Sequence, residues 1–343
     1  MKPVTGLLCL LFFITPRLSA QVAVGENGTI SGLAYSDYYY IASHHNESLE
    51  KNNGFWFRRI YLTYDQKHSN AFSSRLRFEM NSAGDFLSGG SMTPFVKDAY
   101  LKWENDQHAL YAGISSVPTF GLVESTWSYR SVEKTPLDLH RIASSRDFGL
   151  AAKGSLDQDG RWNYHAMFGN GNGTGPEMGE GKKIMLSVSY QLTDEWTIEA
   201  YADRHSRENS RSYILQGFAG YKTDTFTFGA LYADQLWDDA VPGGQSTRLR
   251  VASAFAHAAL SESTTGLLRI DHTFDPNPQG ENIDYLPVHN ETGATLIIAG
   301  IDVDLDHNIH LIPNLEAVVY GETPQGTVPS TDIIPRLTLS YSF

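Results

Sequence analysis

The chain has 343 residues, a formal net charge of −13 and 12% aromatic residues. That acidity argues against nucleic acid or anionic lipid surfaces as partners. Its single cysteine, Cys9, excludes intramolecular disulfides and cysteine-based zinc centres.

Residues 1–20 read as a secretory signal peptide. Lys2 supplies a positive start, Gly6 to Ile14 (GLLCLLFFI) an apolar core, Pro16 a break, and Leu18-Ser19-Ala20 a small-residue cleavage site. A membrane-spanning helix needs about twenty apolar residues, and Pro16 with Arg17 ends the run too early. The mature chain is therefore expected to start at Gln21, to be exported, and to lack a thiol. Removing Lys2 and Arg17 leaves 24 basic residues against 39 acidic, a balance of −15. No later apolar stretch approaches the length of a membrane helix, so any membrane passage must be made by strands.

Apolar and polar residues alternate with period two in sixteen successive segments: Gly28 to Ile41, Phe55 to Gln66, Phe72 to Ser82, Phe95 to Glu104, His108 to Ser115, Arg146 to Leu156, Arg161 to Phe168, Lys183 to Leu192, Trp196 to Arg204, Arg211 to Lys222, Thr225 to Trp237, Arg248 to Leu260, Thr264 to Phe274, Thr292 to Leu305, Ile309 to Tyr320, and Asp332 to Phe343. Most match the roughly 9 to 11 residues a tilted strand needs to cross a bilayer. A helical period competes only within Thr126 to Ile142.

The connections alternate in length. KHSN, NDQ, DQDG, TDE, TD, SES and DHN are tight turns, whereas Ala42 to Asn53, Ala83 to Pro94, Ser116 to Ser145, Gly169 to Lys182 and Asp275 to Glu291 are long. Short turns at one end and long loops at the other predict an all-β, antiparallel up-and-down transmembrane barrel of about 16 strands in the bacterial outer membrane, with residues 21–343 as one domain.

GIDVDLDHN (Gly300 to Asn308) resembles the opening of a calcium loop, but the positions that need a sharp-turning Gly and a bidentate Glu hold His307 and Pro313. As a strand, it sends Asp302 and Asp304 into the barrel and Ile297, Ile301, Val303 and Leu305 to lipid, with Asp306-His307-Asn308 as the last turn. RLRFEMN alternates in the same way: Leu76, Phe78 and Met80 outward, Arg75, Arg77 and Glu79 inward. Tyr38, Trp56, Trp103, Trp162 and Trp196 are expected in the interfacial girdles. The terminal aromatic Phe343 resembles the signal read by the barrel assembly machinery.

FWFRRIYLTY, FVKDAYLKW followed by ALYAGISSVPTFGLVES, RDFGLAAKG and MFGNGNGTG together resemble the porin family that includes the phosphate-selective porins O and P. The resemblance spans roughly residues 54 to 175 and implies a sixteen-stranded channel, usually a homotrimer, among outer-membrane lipid and lipopolysaccharide. Phosphate selectivity in that family rests on a dense basic ladder. Only scattered candidates occur here and Tyr61 stands where a further inward Arg would, so phosphate preference is not carried over.

The expected constriction is the third loop, residues 116–145, folded into the lumen. Glu124, Glu133 and Asp138 on this loop would face Arg59, Arg75 and Arg77, with Asp98 and Lys102 also lining the pore. The plainer reading pairs the arginines with Glu79, Asp98 and Glu104 across adjacent strands. The Gly169 to Gly181 stretch lacks the residues of a phosphate loop. His44-His45 is read as solvated loop rather than metal site, and no cofactor is expected. With no local signature of a catalytic nucleophile, the expected function is a porin, a passive channel for small hydrophilic solutes or ions. The rivals are an enzyme at the barrel rim, a structural or adhesive barrel, and a carbohydrate-selective channel lined by tyrosines such as those of Tyr35 to Tyr40.

Overall fold

The computed structural model describes residues 21–176, 179–239 and 246–343; the signal-peptide segment lies outside them. The strands are Val22–Val24 (β1), Gly28–Tyr40 (β2), Asn53–Lys67 (β3), Phe72–Met80 (β4), Phe95–Glu104 (β5), His108–Ser116 (β6), Arg146–Ser155 (β7), Trp162–Gly169 (β8), Lys182–Gln191 (β9), Trp196–Arg207 (β10), Ser210–Lys222 (β11), Phe226–Asp239 (β12), Thr247–Ser261 (β13), Thr264–Thr273 (β14), Ala294–Asp306 (β15), Ile309–Tyr320 (β16) and Asp332–Ser342 (β17). Each strand from β2 to β17 pairs antiparallel with the next, and β17 pairs back onto β2, with Arg336 opposite Tyr39 and Ser342 opposite Leu33. Sixteen strands thus close a ring, and the short β1 folds back on the start of β2.

Phe343 extends the closing seam by one more pair. The Phe343 N–H donates to the Gly32 carbonyl (3.0 Å) and the Gly32 N–H to the Phe343 carbonyl (2.7 Å). The Phe343 ring lies over Gly32, where a Cβ would stand only 2.0 Å from it. Only glycine leaves room for that ring.

The outer face carries exposed Leu62, Leu101, Leu150, Phe168, Leu215 and Leu268 around the whole ring. A continuous apolar belt of this extent is a lipid-facing surface. Trp162 against Tyr190 (4.5 Å between centroids) and Trp196 against Tyr221 (5.0 Å) sit at the short-turn rim, and Tyr38 against Phe55 (4.9 Å) at the other. Trp56 corrects the girdle expectation. It points inward, stacks on Tyr39 at 4.1 Å and donates from Nε1 to Asp37 (3.3 Å).

At the last short turn Asn308 adopts φ 64°, as turn residues do. Asp302 lies inward, 3.1 Å from His310 Nδ1 and 3.2 Å from the hydroxyl of Tyr129, while Ile301 and Leu305 face out. The long loops gather at the opposite rim: L1 (residues 41–52), L3 (residues 117–145) and L7 (residues 274–293) matter most below. The β10–β11 link at that rim is only residues 208–209, because both strands run past the ends expected from sequence.

Two of the register shifts among the described residues re-aim side chains toward the lumen. Opposite β2 the register steps from Tyr35–Arg59 to Ser36–Phe57, leaving Arg58 as the extra residue; opposite β4 it steps from Arg77–Asp98 to Phe78–Val96, leaving Lys97. A bulge re-aims a side chain that strict alternation would send to the other face. Arg58 and Arg59 are accordingly both buried inside the barrel.

Leu215 is 63% exposed near the middle of β11. Leu215→Arg should cost about 2–4 kcal/mol of folding free energy if the site lies at the bilayer midplane. Denaturant titration into lipid bilayers measures this, and an unchanged midpoint would contradict the assigned face.

Candidate pore constriction

L3 carries two short helices, Gly121–Trp127 (α1) and Pro136–Leu139 (α2). Pro136 opens α2, where its missing N–H costs nothing, and Ser128 closes α1 at φ 59°. Val123, Trp127, Val132, Leu137 and Leu139 are each at most 1% exposed. They pack in one cluster with the inward residues Phe218, Leu231, Val251, Phe255, Leu267 and Ile298 of the far wall. Trp127 lies 5.2 Å from Phe255 and donates from Nε1 to the Glu133 carbonyl (2.9 Å).

Irregular backbone at this depth needs partners for its carbonyls. Gln216 Nε2 donates to the Thr119 carbonyl (3.1 Å), Gln235 Nε2 to Ile142 (3.0 Å), Arg269 Nη1 to Lys134 (2.5 Å) and Arg58 to Val132. L7 contributes Asn277 Nδ2 to the His140 carbonyl (3.0 Å). L7 is thus a second inward loop.

Arg58 ties L3 to the barrel seam. It pairs with Glu133, with its Nε 3.6 Å from Asp37 and its Nη1 3.5 Å from Glu316. Arg336 completes the network through Glu316 (2.8 Å) and Asp37 (3.4 Å), and Thr338 Oγ1 donates to Asp37 (2.7 Å). Every carboxylate in it has a guanidinium partner, the condition for burying charge.

The expected residues divide between the two readings. Arg59 pairs with Glu79 (2.9 Å), Arg77 with Asp98 (3.2 Å) and Arg75 with Asp65 (2.7 Å), all cross-strand pairs. Lys102 pairs with Glu104 on its own strand. Glu124 and Asp138 are held by Arg130 within L3, at 3.2 and 3.3 Å. Of the loop acids in the expected set, Glu133 reaches the wall through an ion pair, and its partner is Arg58. Sequence reading placed Arg59 inward and so passed over Arg58, Asp37, Glu316 and Arg336. The adjacent arginines were the available clue, since only a bulge admits both to one face.

Charge is sorted among the strands. Strands β3–β7 carry nine Lys/Arg against five Asp/Glu; the remaining barrel strands carry ten against twelve. Asp98 is shared by Arg77 and Arg146, and Glu79 by Arg59 and Lys97. Arg75, Arg77 and Lys102 keep 30%, 19% and 23% of their side chains in solvent. A cavity of about 550 Å³ opens beside L3, lined by Arg141, His205, Arg207, Gln235, Trp237 and Asn277.

Burial pushes His140 down to about 4 and keeps it neutral. Burial raises the Glu133 and Asp138 carboxyls, but neighbouring cations, Arg58 for Glu133 and Lys134 for Asp138, outweigh it and hold both below their ordinary values.

No protein-family model matches the chain, and no curated protein matches it. Solved structures do. The anion-selective porin from Comamonas acidovorans superposes with TM-score 0.70 at 12% identity, covering 92% of this chain and 99% of that one. The outer-membrane channel DcaP of Acinetobacter baumannii gives 0.67 at 12% identity, over 95% of this chain and 100% of that one. OmpT of Vibrio cholerae, solved in a trimer form, gives 0.65 at 10%, over 93% and 100%. At these identities the likeness is one of fold: a porin-type sixteen-stranded barrel. It does not single out the phosphate-selective branch that the sequence resembles.

Arg58→Ala would leave the buried Glu133 without its guanidinium, while Asp37 and Glu316 keep only Arg336. It should loosen L3 docking by about 3–5 kcal/mol, seen as raised open-channel noise in single-channel recording. Acid should act in the same direction. His140 has a folded value below its ordinary 6.5, so its share of the docking energy is complete above about 6.5 and declines toward 4, by about 1.4 kcal/mol per pH unit. The carboxylate contributions are lost below that. Limited proteolysis of L3 at pH 7 and pH 4.5 checks this; equal rates would refute it.

Proposed function

We propose that the protein is an outer-membrane porin, a passive water-filled channel for small hydrophilic solutes with a preference for anions. The carrying observation is the sorted interior. L3 leans on the apolar inner face between β10 and β17, while the wetted wall opposite is rich in Lys and Arg. Fixed cations on a low-dielectric wall raise the local anion concentration and lower the barrier to anion passage. That the Comamonas structure is of an anion-selective porin supports the same reading. The reading is of passage rather than catalysis. A homotrimer, contact with lipopolysaccharide and recognition of Phe343 by the assembly machinery belong to the same proposal, the first supported by the trimeric OmpT structure.

One observation favours a narrower second reading. Tyr61, Tyr100 and Tyr111 sit on the same wall, with Tyr35 on the adjoining β2; Arg77 lies 5.0 Å from the Tyr61 ring, and Tyr100 stands edge-on to Tyr111 at 5.2 Å. Sugar rings stack on such surfaces, so a carbohydrate path is the rival within the channel class.

Single-channel recording in a planar bilayer under a salt gradient tests the proposal. Steps in groups of three with an anion-side reversal potential are expected, and Arg75→Gln with Arg77→Gln should move that potential toward cations. Silence from well-folded protein would overturn the channel reading. Current block by oligosaccharides without anion preference would favour the second.

A further inference from the structure

L1, L7 and the start of β17 meet in a cluster that the channel reading does not use. His44, expected in solvent, is fully buried, and the side chain of His45 is 3% exposed. Their ring centroids lie 4.2 Å apart, the planes tilted by 32°. Asp332 lies beneath them, its Oδ2 3.0 Å from His45 Nδ1 and 4.0 Å from His44 Nε2. On the other side of His45, Nε2 is 3.3 Å from the Glu281 carboxylate of L7. His289 stands edge-on to His45 at 5.6 Å, and the Tyr320 hydroxyl is 3.0 Å from His45 Nδ1.

We propose that His44, His45 and Asp332 form a binding site for a divalent transition metal ion of the zinc type. Their donor atoms lie within 4.8 Å of one another, close enough to converge on one ion with small adjustments. Two imidazoles and a carboxylate suit zinc and its neighbours better than calcium or magnesium, which take all-oxygen shells. His44 Nε2 is buried without a hydrogen-bond partner and is aimed at Asp332. His45 has the second contact that metal-bound histidines use: with Nδ1 on the ion, Nε2–H donates to Glu281 and fixes the ring. The half-exposed Glu281 marks the way in from solvent. In the ion-free geometry the Asn46 N–H donates to His44 Nδ1 (3.0 Å), which leaves the His44 proton on Nε2. Ligation through Nε2 moves that proton to Nδ1 and gives up the Asn46 bond, whose exposed residue can turn to water instead. An ion held there would fasten L1 directly to β17 and, through Glu281, to L7.

The test is calorimetric titration of Zn²⁺ into the chelator-treated, detergent-folded barrel. One equivalent per chain is expected, with at least tenfold weaker binding in His45→Gln and in Asp332→Asn. Zinc absorption spectra should fit nitrogen and oxygen neighbours at about 2.0–2.2 Å. Heat-modified gel migration identifies variants that fail to fold; for these, His44→Gln gives the same reading. Absence of binding by wild type, or equal binding by folded variants, overturns the site. The measurement needs no current through the pore, so its failure leaves the channel reading untouched.

Discussion

Irregular chain inside a barrel must find partners for its backbone, and the whole interior is organised around that need. L3 has too little regular structure to satisfy its own carbonyls, and the wall supplies donors at fixed points: Gln216, Gln235, Arg269 and Arg58. Each is a long side chain whose terminal nitrogen reaches past the apolar packing to the loop. Without such donors each buried carbonyl would carry a desolvation cost of about 1–3 kcal/mol. The bulge at Arg58 is what makes one of them available at the seam.

The same requirement explains the sorting of charge. A loop that leans on a wall must pack against it, so the inner face from β10 to β17 had to become apolar, with Ile214, Phe218, Leu231, Val251 and Phe255 where a uniformly wet pore would carry polar groups. An excess of Lys and Arg over Asp and Glu is left on β3 to β7. There two carboxylates, Asp98 and Glu79, are each shared between two cations, so opposite charges pair while net positive charge remains. The strongly acidic chain is no obstacle to this, because net charge says nothing about which wall a charge occupies.

Much of the barrel was legible in the sequence because the lipid-facing half of each strand obeys a rule that needs no knowledge of the interior: apolar at every second position, with tight turns at one rim. Leu76, Ile301 and Leu305 follow it. The inner half does not, since it answers to loops distant in sequence. Trp56 looked like a girdle residue because nothing local shows that Asp37 waits inside for its N–H. His44 and His45 looked solvated because their partners, Glu281 and Asp332, lie more than two hundred residues away. The expected constriction residues Arg59, Arg75 and Arg77 do lie inward. Arg59 and Arg77 take Glu79 and Asp98 as in the plainer cross-strand reading, Arg75 takes Asp65 rather than Glu104, and the contact to the loop goes to a neighbour that alternation ruled out.

L7 decides what kind of aperture this is. It holds L3 through Asn277 on the His140 carbonyl and receives Arg141 on the Asn282 carbonyl. It is itself held from the wall, where Arg336 donates to the Tyr285 carbonyl and the Tyr285 hydroxyl donates to Ser82 (2.7 Å). A flap would need one free edge, but L3 is bonded to the seam, to the far wall and to L7. Displacing it would strip partners from several buried groups at once, which costs far more than thermal energy. If the protein passes solutes as proposed, selectivity would reside in the standing field of the β3–β7 wall rather than in motion of the loop, and it would change with that wall's charges.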